Sequence, residues 1–177
     1  MKKFLLVFFP VLAVIIYSCN DEASNSISDQ SGDNKVRMQQ FYDEVINAHN
    51  VAMIDSFCTA DFVDHNPDQG FSGKGIDDLK SQFTQMFAAF PDAKVDVDFL
   101  IAKGDTVVSH VTMSATNSGP MGPMPATNKS FKISGIDIVV IKDGKATERW
   151  GQFDAMSMMS QLGMMPSGDA SNMDNKQ

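Results

Sequence analysis

Five side chains in this sequence have the types and positions to do chemistry: Asp154, Asp137, His110, His65 and Trp150. Asp137 is the least expected. Alternate residues of a strand share a face, and on that rule Asp137 sits with Ile133, Val139 and Ile141. Burial favours the neutral form of a carboxyl group, and a buried one is seldom left unpaired. Asp137 is therefore either a structural acceptor for backbone or tyrosine groups, or a functional acid. Asp154 follows Glu148, Trp150 and Gln152 on one strand face and precedes the helical stretch Ala155 to Leu162. It can cap that helix, act as a general base, or do both. His110 shares a face with Thr112 and Ser114; it is a satisfied sheet histidine or a proton donor. His65, in Phe62-Val63-Asp64-His65-Asn66-Pro67, stands before a turn, where it can hydrogen-bond within a loop or bind substrate. Trp150 reads as the wall of a pocket or core. The chemistry open to such a set is proton transfer, with one group removing a proton and another supplying one.

Other chemistries have weaker support. Cys58 falls beside Ile54 and Phe57 on a helical apolar face, which describes a small buried hydrophobe rather than a nucleophile. Three separated histidines and no cysteine pair make no metal-ligand spacing. The Met-rich run Met156, Met158, Met159, Met164 and Met165 reads as adaptable packing.

The elements that must position these residues are helical first and extended afterwards. Met38, Phe41, Tyr42, Val45 and Ile46 recur at helical spacing, and Ile76, Leu79, Phe83, Met86, Phe87 and Phe90 mark another helix, stopped by Pro91. Asn50 is placed to cap a short helix between them. Val95 to Ala102, Thr106 to Thr116, Lys129 to Lys142 and Lys145 to Phe153 read as strands. Asp143-Gly144 is the turn of a hairpin, and Asn117 to Pro125 is an irregular loop. Helices followed by a strongly bent antiparallel sheet predict an α+β fold.

The two ends differ from the middle. Lys2 and Lys3 precede an apolar run, Phe4 to Ile16, too short for a membrane helix and typical of a cleaved export signal. Ile16-Tyr17-Ser18-Cys19 resembles the cleavage box of bacterial lipoproteins. That resemblance implies a signal over residues 1–18, a lipid on Cys19, and a place on the periplasmic side or outer membrane of a bacterial envelope. Residues 19–34 are polar and read as a disordered tether, and 164–177 as a disordered tail, leaving a domain over 35–163. The net charge of −8 argues against nucleic acid, whose phosphates demand clustered Lys and Arg.

Within that domain the chain resembles the SnoaL-like polyketide cyclases, or ester cyclases, of the NTF2-like superfamily. The resemblance is carried by the order of Phe41-Tyr42-Asp43-Glu44-Val45-Ile46-Asn47, Phe62-Val63-Asp64-His65-Asn66-Pro67, Phe90-Pro91-Asp92 and Gly104-Asp105-Thr106-Val107-Val108. It continues through Gly135-Ile136-Asp137-Ile138, Asp143-Gly144-Lys145, Glu148-Arg149-Trp150-Gly151-Gln152-Phe153-Asp154 and Gln161-Leu162-Gly163. It implies a cone-shaped sheet with helices against it, paired as a homodimer, with a cofactor-free pocket for a small hydrophobic ligand. In the family, an acid matching Asp154 removes a proton next to a carbonyl, and the enolate closes a ring. A donor for the oxyanion would be His110, His65 or a protonated Asp137. On this reading His110, Asp137, Trp150 and Asp154 converge on one cavity. An enzyme, a non-catalytic binding module and an interaction domain with a filled pocket are the three functions that this frame allows.

Overall fold

The computed structural model describes residues 30–165; the export signal and Cys19 lie outside them, as does most of the expected tail. Helix α1 (Ser31–Phe41) begins the domain, four residues before the expected start at Lys35. Asn34 explains the earlier start. It is only 2% exposed, and its side chain donates to the carbonyls of Gly104 and Ile141 at 3.2 and 3.4 Å. The helix continues into a widened π-helical turn, Tyr42–Asn47, that buries Tyr42, Val45 and Ile46. Asn50 does not cap the next turn with its side chain; its carbonyl accepts the Met53 N–H instead.

A short helix α2 (Ile54–Phe57) runs directly into strand β1 (Cys58–Asp64). The sequence pattern does not predict this strand, because no turn residue separates it from the helix. Cys58 accordingly begins a strand rather than lying on a helix face. Its burial is as expected, and burial pushes the thiol up to about 12, so it is no thiolate nucleophile at neutral pH. Helix α3 (Ile76–Ala89) follows, then strands β2 (Lys94–Lys103), β3 (Thr106–Thr116), β4 (Ser130–Lys142) and β5 (Lys145–Phe153), and helix α4 (Ala155–Leu162). The five strands form one sheet in the order β1-β5-β4-β3-β2. Only the β1–β5 pair is parallel. No helix among the described residues is long and apolar enough to cross a membrane.

Strand alternation sorts the sheet cleanly into two faces. On β4, Phe131, Ile133, Asp137, Val139 and Ile141 are buried, while Ile136 and Ile138 are exposed. The inner face is covered by α1, which packs on β2 and β3, with α3 against β1 and α4 against β4. Two apolar clusters fill the space beneath the helices. One centres on Tyr42, Val45, Ile54, Val107 and Val111, the other on Phe90, Phe131, Ile133 and Leu162, and Met86, Met113 and Phe153 touch both. Gly135 permits that bridge: a Cβ there would run into the ring of Phe153, its cross-strand partner. The β4–β5 hairpin turns on Asp143 and Gly144, both at positive φ, as a tight hairpin turn requires.

Candidate functional site

The inner face of the sheet carries one charged cluster, and Arg149 is its centre. Arg149 stands opposite Val139 on β4 and Asp64 on β1, so its side chain enters the covered face between two strands. Its Nε donates to Asp137 Oδ1 at 2.8 Å, and an Nη forms an ion-pair contact with the same oxygen at 2.7 Å. The other Nη reaches Asp64 Oδ2 at 2.7 Å. Asp137 Oδ2 accepts from the Tyr42 hydroxyl at 2.8 Å. Since that proton is committed, Ser109 must supply the one shared with Tyr42 at 2.7 Å. The chain of contacts is therefore Ser109–Tyr42–Asp137–Arg149–Asp64.

Burial makes this arrangement demanding. Asp64 and Asp137 are 4% and 3% exposed, Tyr42 and Ser109 1% and 0%. A buried charge is tolerated when paired and hydrogen-bonded, and both carboxylates meet that condition through one planar guanidinium. Burial alone would lower the Arg149 pKa, but Asp137 and then Asp64 overcome this and raise it. Burial, and next the charge of Asp137, holds the Tyr42 hydroxyl well above its ordinary value. The side chain of Arg149 as a whole remains 25% exposed, while its guanidinium is held among the two carboxylates, with burial the first influence on it. Gly151, opposite Asp137, leaves its path clear: a Cβ there would collide with the guanidinium and lie 2.8 Å from Asp137 Oδ1.

The residues singled out from sequence do not converge. Asp137 is on the inner face, but His110 pairs across from Ile136, and Trp150 from Ile138, which puts both on the outer face. The reason is parity: Asp137 is odd in a strand whose even positions face out. Asp154 is neither inside nor beside them. It caps α4, accepting from the Ser157 backbone N–H at 2.9 Å and the Ser157 hydroxyl at 2.6 Å. The Ser157 side chain, then its backbone, hold the Asp154 carboxyl below the usual range. A protonated Asp137 donor is also replaced, since both of its oxygens accept.

The outer face carries two of the three histidines, His65 and His110. The His65 ring stacks on Trp150 with centroids 4.2 Å apart, and its Nε2 lies 3.0 Å from Glu148 Oε2. His110 stacks on Phe99 at 5.2 Å, with its Nδ1 2.8 Å from Asp98 Oδ2. Asp98 reaches it because the β2–β3 register slips between Val97 and Phe99. Phe99, Ile101, Ile136 and Ile138 on this face are all exposed.

A second polar group stands near Arg149, in the chain between β1 and α3. Gln82, on the buried side of α3, is only 8% exposed. Its Oε1 accepts the Asp68 backbone N–H at 3.2 Å, and its Nε2 has no hydrogen-bond partner among the described residues. Burial raises the pKa of the Asp68 carboxyl, with Arg149 opposing and Asp64 reinforcing the rise. Sequence reasoning missed Arg149, Asp64, Gln82 and Asp68. Arg149 had a readable signal: a cation at a core-facing position of the strand that pairs with the one holding Asp137. Asp64 had none, since β1 itself was not legible.

Comparison with known proteins agrees with this architecture. The model of the SnoaL-like polyketide cyclases matches residues 36–162, and the chain belongs to that family. A protein from Acidithiobacillus ferrooxidans, named as a candidate polyketide cyclase, is 27% identical, with 78% of this chain and 97% of that one covered and a TM-score of 0.64. A SnoaL-like protein from Jannaschia matches in fold at 19% identity, over 77% and 95% of the two chains, with a TM-score of 0.68. TsrD from Streptomyces laurentii matches at 23% identity over 76% and 95%, with a TM-score of 0.63. No curated protein matches the chain in sequence.

Proposed function

We propose that this chain is an envelope-anchored member of its family that acts on a small, mostly apolar carbonyl compound by cofactor-free proton transfer. The observation that carries the reading is the Asp64–Arg149–Asp137–Tyr42 cluster. Packing alone does not call for it, because buried ion pairs contribute little to stability against an apolar replacement. A charged, hydrogen-bonded cluster held on the covered face is the preorganised polar setting that proton transfer on a carbonyl compound needs.

The test uses ethyl levulinate, which holds both a ketone and an ester. In deuterated buffer the wild-type protein should place deuterium on the carbons next to its carbonyls, read by loss of their proton signals. Uptake no faster than in a protein-free blank would remove the proton-transfer reading. The anchoring is checked separately: labelled palmitate should be incorporated in a bacterial host and lost in Cys19→Ser. Equal labelling of the variant would place the lipid elsewhere.

A second reading, ligand binding without turnover, draws support from Asp154. In the family resemblance this residue is the base, yet here it is exposed and doubly hydrogen-bonded to Ser157. A carboxylate so stabilised is a poor proton acceptor.

A further inference from the structure

The unpaired amide of Gln82 is the strongest unexplained feature of the covered face. A backbone N–H can only donate, so the end of the amide against Asp68 N must be oxygen. The orientation of the side chain is thereby settled, and Nε2 is left as a buried donor without an acceptor. Leaving such a group unpaired forfeits its hydrogen bonds to water with nothing in return. A native protein keeps such a cost for a reason, and a functional role is one. The other buried orphan among the described residues, Thr59 Oγ1, is a hydroxyl that is free to rotate.

The charges nearby say what the ligand is. Arg149 sets its Nε and both Nη against Asp137 and Asp64, so its single positive charge is already matched by two carboxylates. The Asp68 carboxylate adds a third negative charge that feels the same guanidinium. That balance repels carboxylates and phosphates and accepts a neutral acceptor such as a ketone or ester. The Asp68 carboxylate makes no hydrogen bond to any described residue. It is thus exposed yet unengaged, and its carboxyl is shifted up where that of Asp154 is shifted down, which makes it a better base than Asp154.

We propose that Gln82 and Asp68 form the docking point for a neutral carbonyl compound, with Gln82 Nε2 donating to the carbonyl oxygen and the Asp68 carboxylate facing the carbon next to it. The docking stands by itself, and the proton transfer rests on the reading given under Proposed function. In that step Asp68 takes the proton. The C–H electron pair becomes the C=C bond of an enolate, and the carbonyl π pair moves to the oxygen held by Gln82. Return of a solvent deuteron through Asp68 restores the ketone with one hydrogen exchanged.

Two measurements decide the matter. The first uses the wild-type protein, so no variant needs to fold. Titration with ethyl levulinate should shift the Gln82 side-chain amide resonances, and titration with the levulinate anion should not. No shift with the ester, or an equal shift with the anion, overturns the docking site. The second follows deuterium uptake in variants whose thermal unfolding matches wild type. Asp68→Asn should slow uptake by roughly 10²-fold or more. Gln82→Glu keeps an acceptor for the Asp68 N–H but deletes the donor, and should cost about 10²–10³-fold. Wild-type rates in Asp68→Asn would remove Asp68 as the base. Absence of uptake by the wild type itself, beside a Gln82 shift, would overturn proton transfer and leave a binding site.

Discussion

Arg149→Leu should lower the unfolding free energy by roughly 3–5 kcal/mol, the range for breaking a buried ion pair by removing one partner. The variant leaves Asp64 and Asp137, each under 5% exposed, without the cation that both use. For a domain of this size such a loss is a fall in melting temperature on the order of 10–20 °C, measurable by calorimetry. Arg149→Lys should recover little of it. One compact ammonium cannot span two carboxylates on different strands as a planar guanidinium does. A loss below about 1 kcal/mol would mean that water replaces the guanidinium, and the cluster would then be a wet surface feature.

Gly151→Ala should come close to the same loss, by roughly 2–4 kcal/mol, although it deletes nothing. The added Cβ claims the space of the Arg149 guanidinium, and the backbone around it is fixed by pairing with Asp137. The arginine must then leave one or both carboxylates. Chemical denaturation of the two single variants and the double variant would read the coupling directly. The second change should cost little once the first is made, because both break the same contact. Additive losses would show that Gly151 matters for another reason, such as strand pairing.

Much of the fold was legible because it follows from local rules. The helical spacing of Met38, Tyr42 and Val45, the Asp143-Gly144 turn and the alternation of β4 each depend on neighbours in sequence. The face of Asp137 was legible for the same reason. Strand β1 was not, since seven residues continuing out of a helix carry no period long enough to distinguish them. With β1 unseen, Asp64 could not be placed beside Arg149.

The candidate site was legible only in part. The sequence singled out carboxylates and histidines by type, but type does not say which side of a sheet a residue faces relative to residues on other strands. His110 and Trp150 have the even parity of Ile136 and Ile138, and register between strands turned all four outward. Asp154 went to its helix cap, the bland alternative that the sequence already allowed.

By itself, then, the sequence determined a helices-then-sheet domain, its family, and an acidic residue inside its core. The tertiary structure alone decided that this acid meets Tyr42 and shares an arginine with Asp64, residues 95 positions before it in one case and 85 before Arg149 in the other. The physical reason is that a buried charge must find its partner in space. Sheet register and a missing Cβ at Gly151, not proximity along the chain, bring the partner within hydrogen-bonding distance.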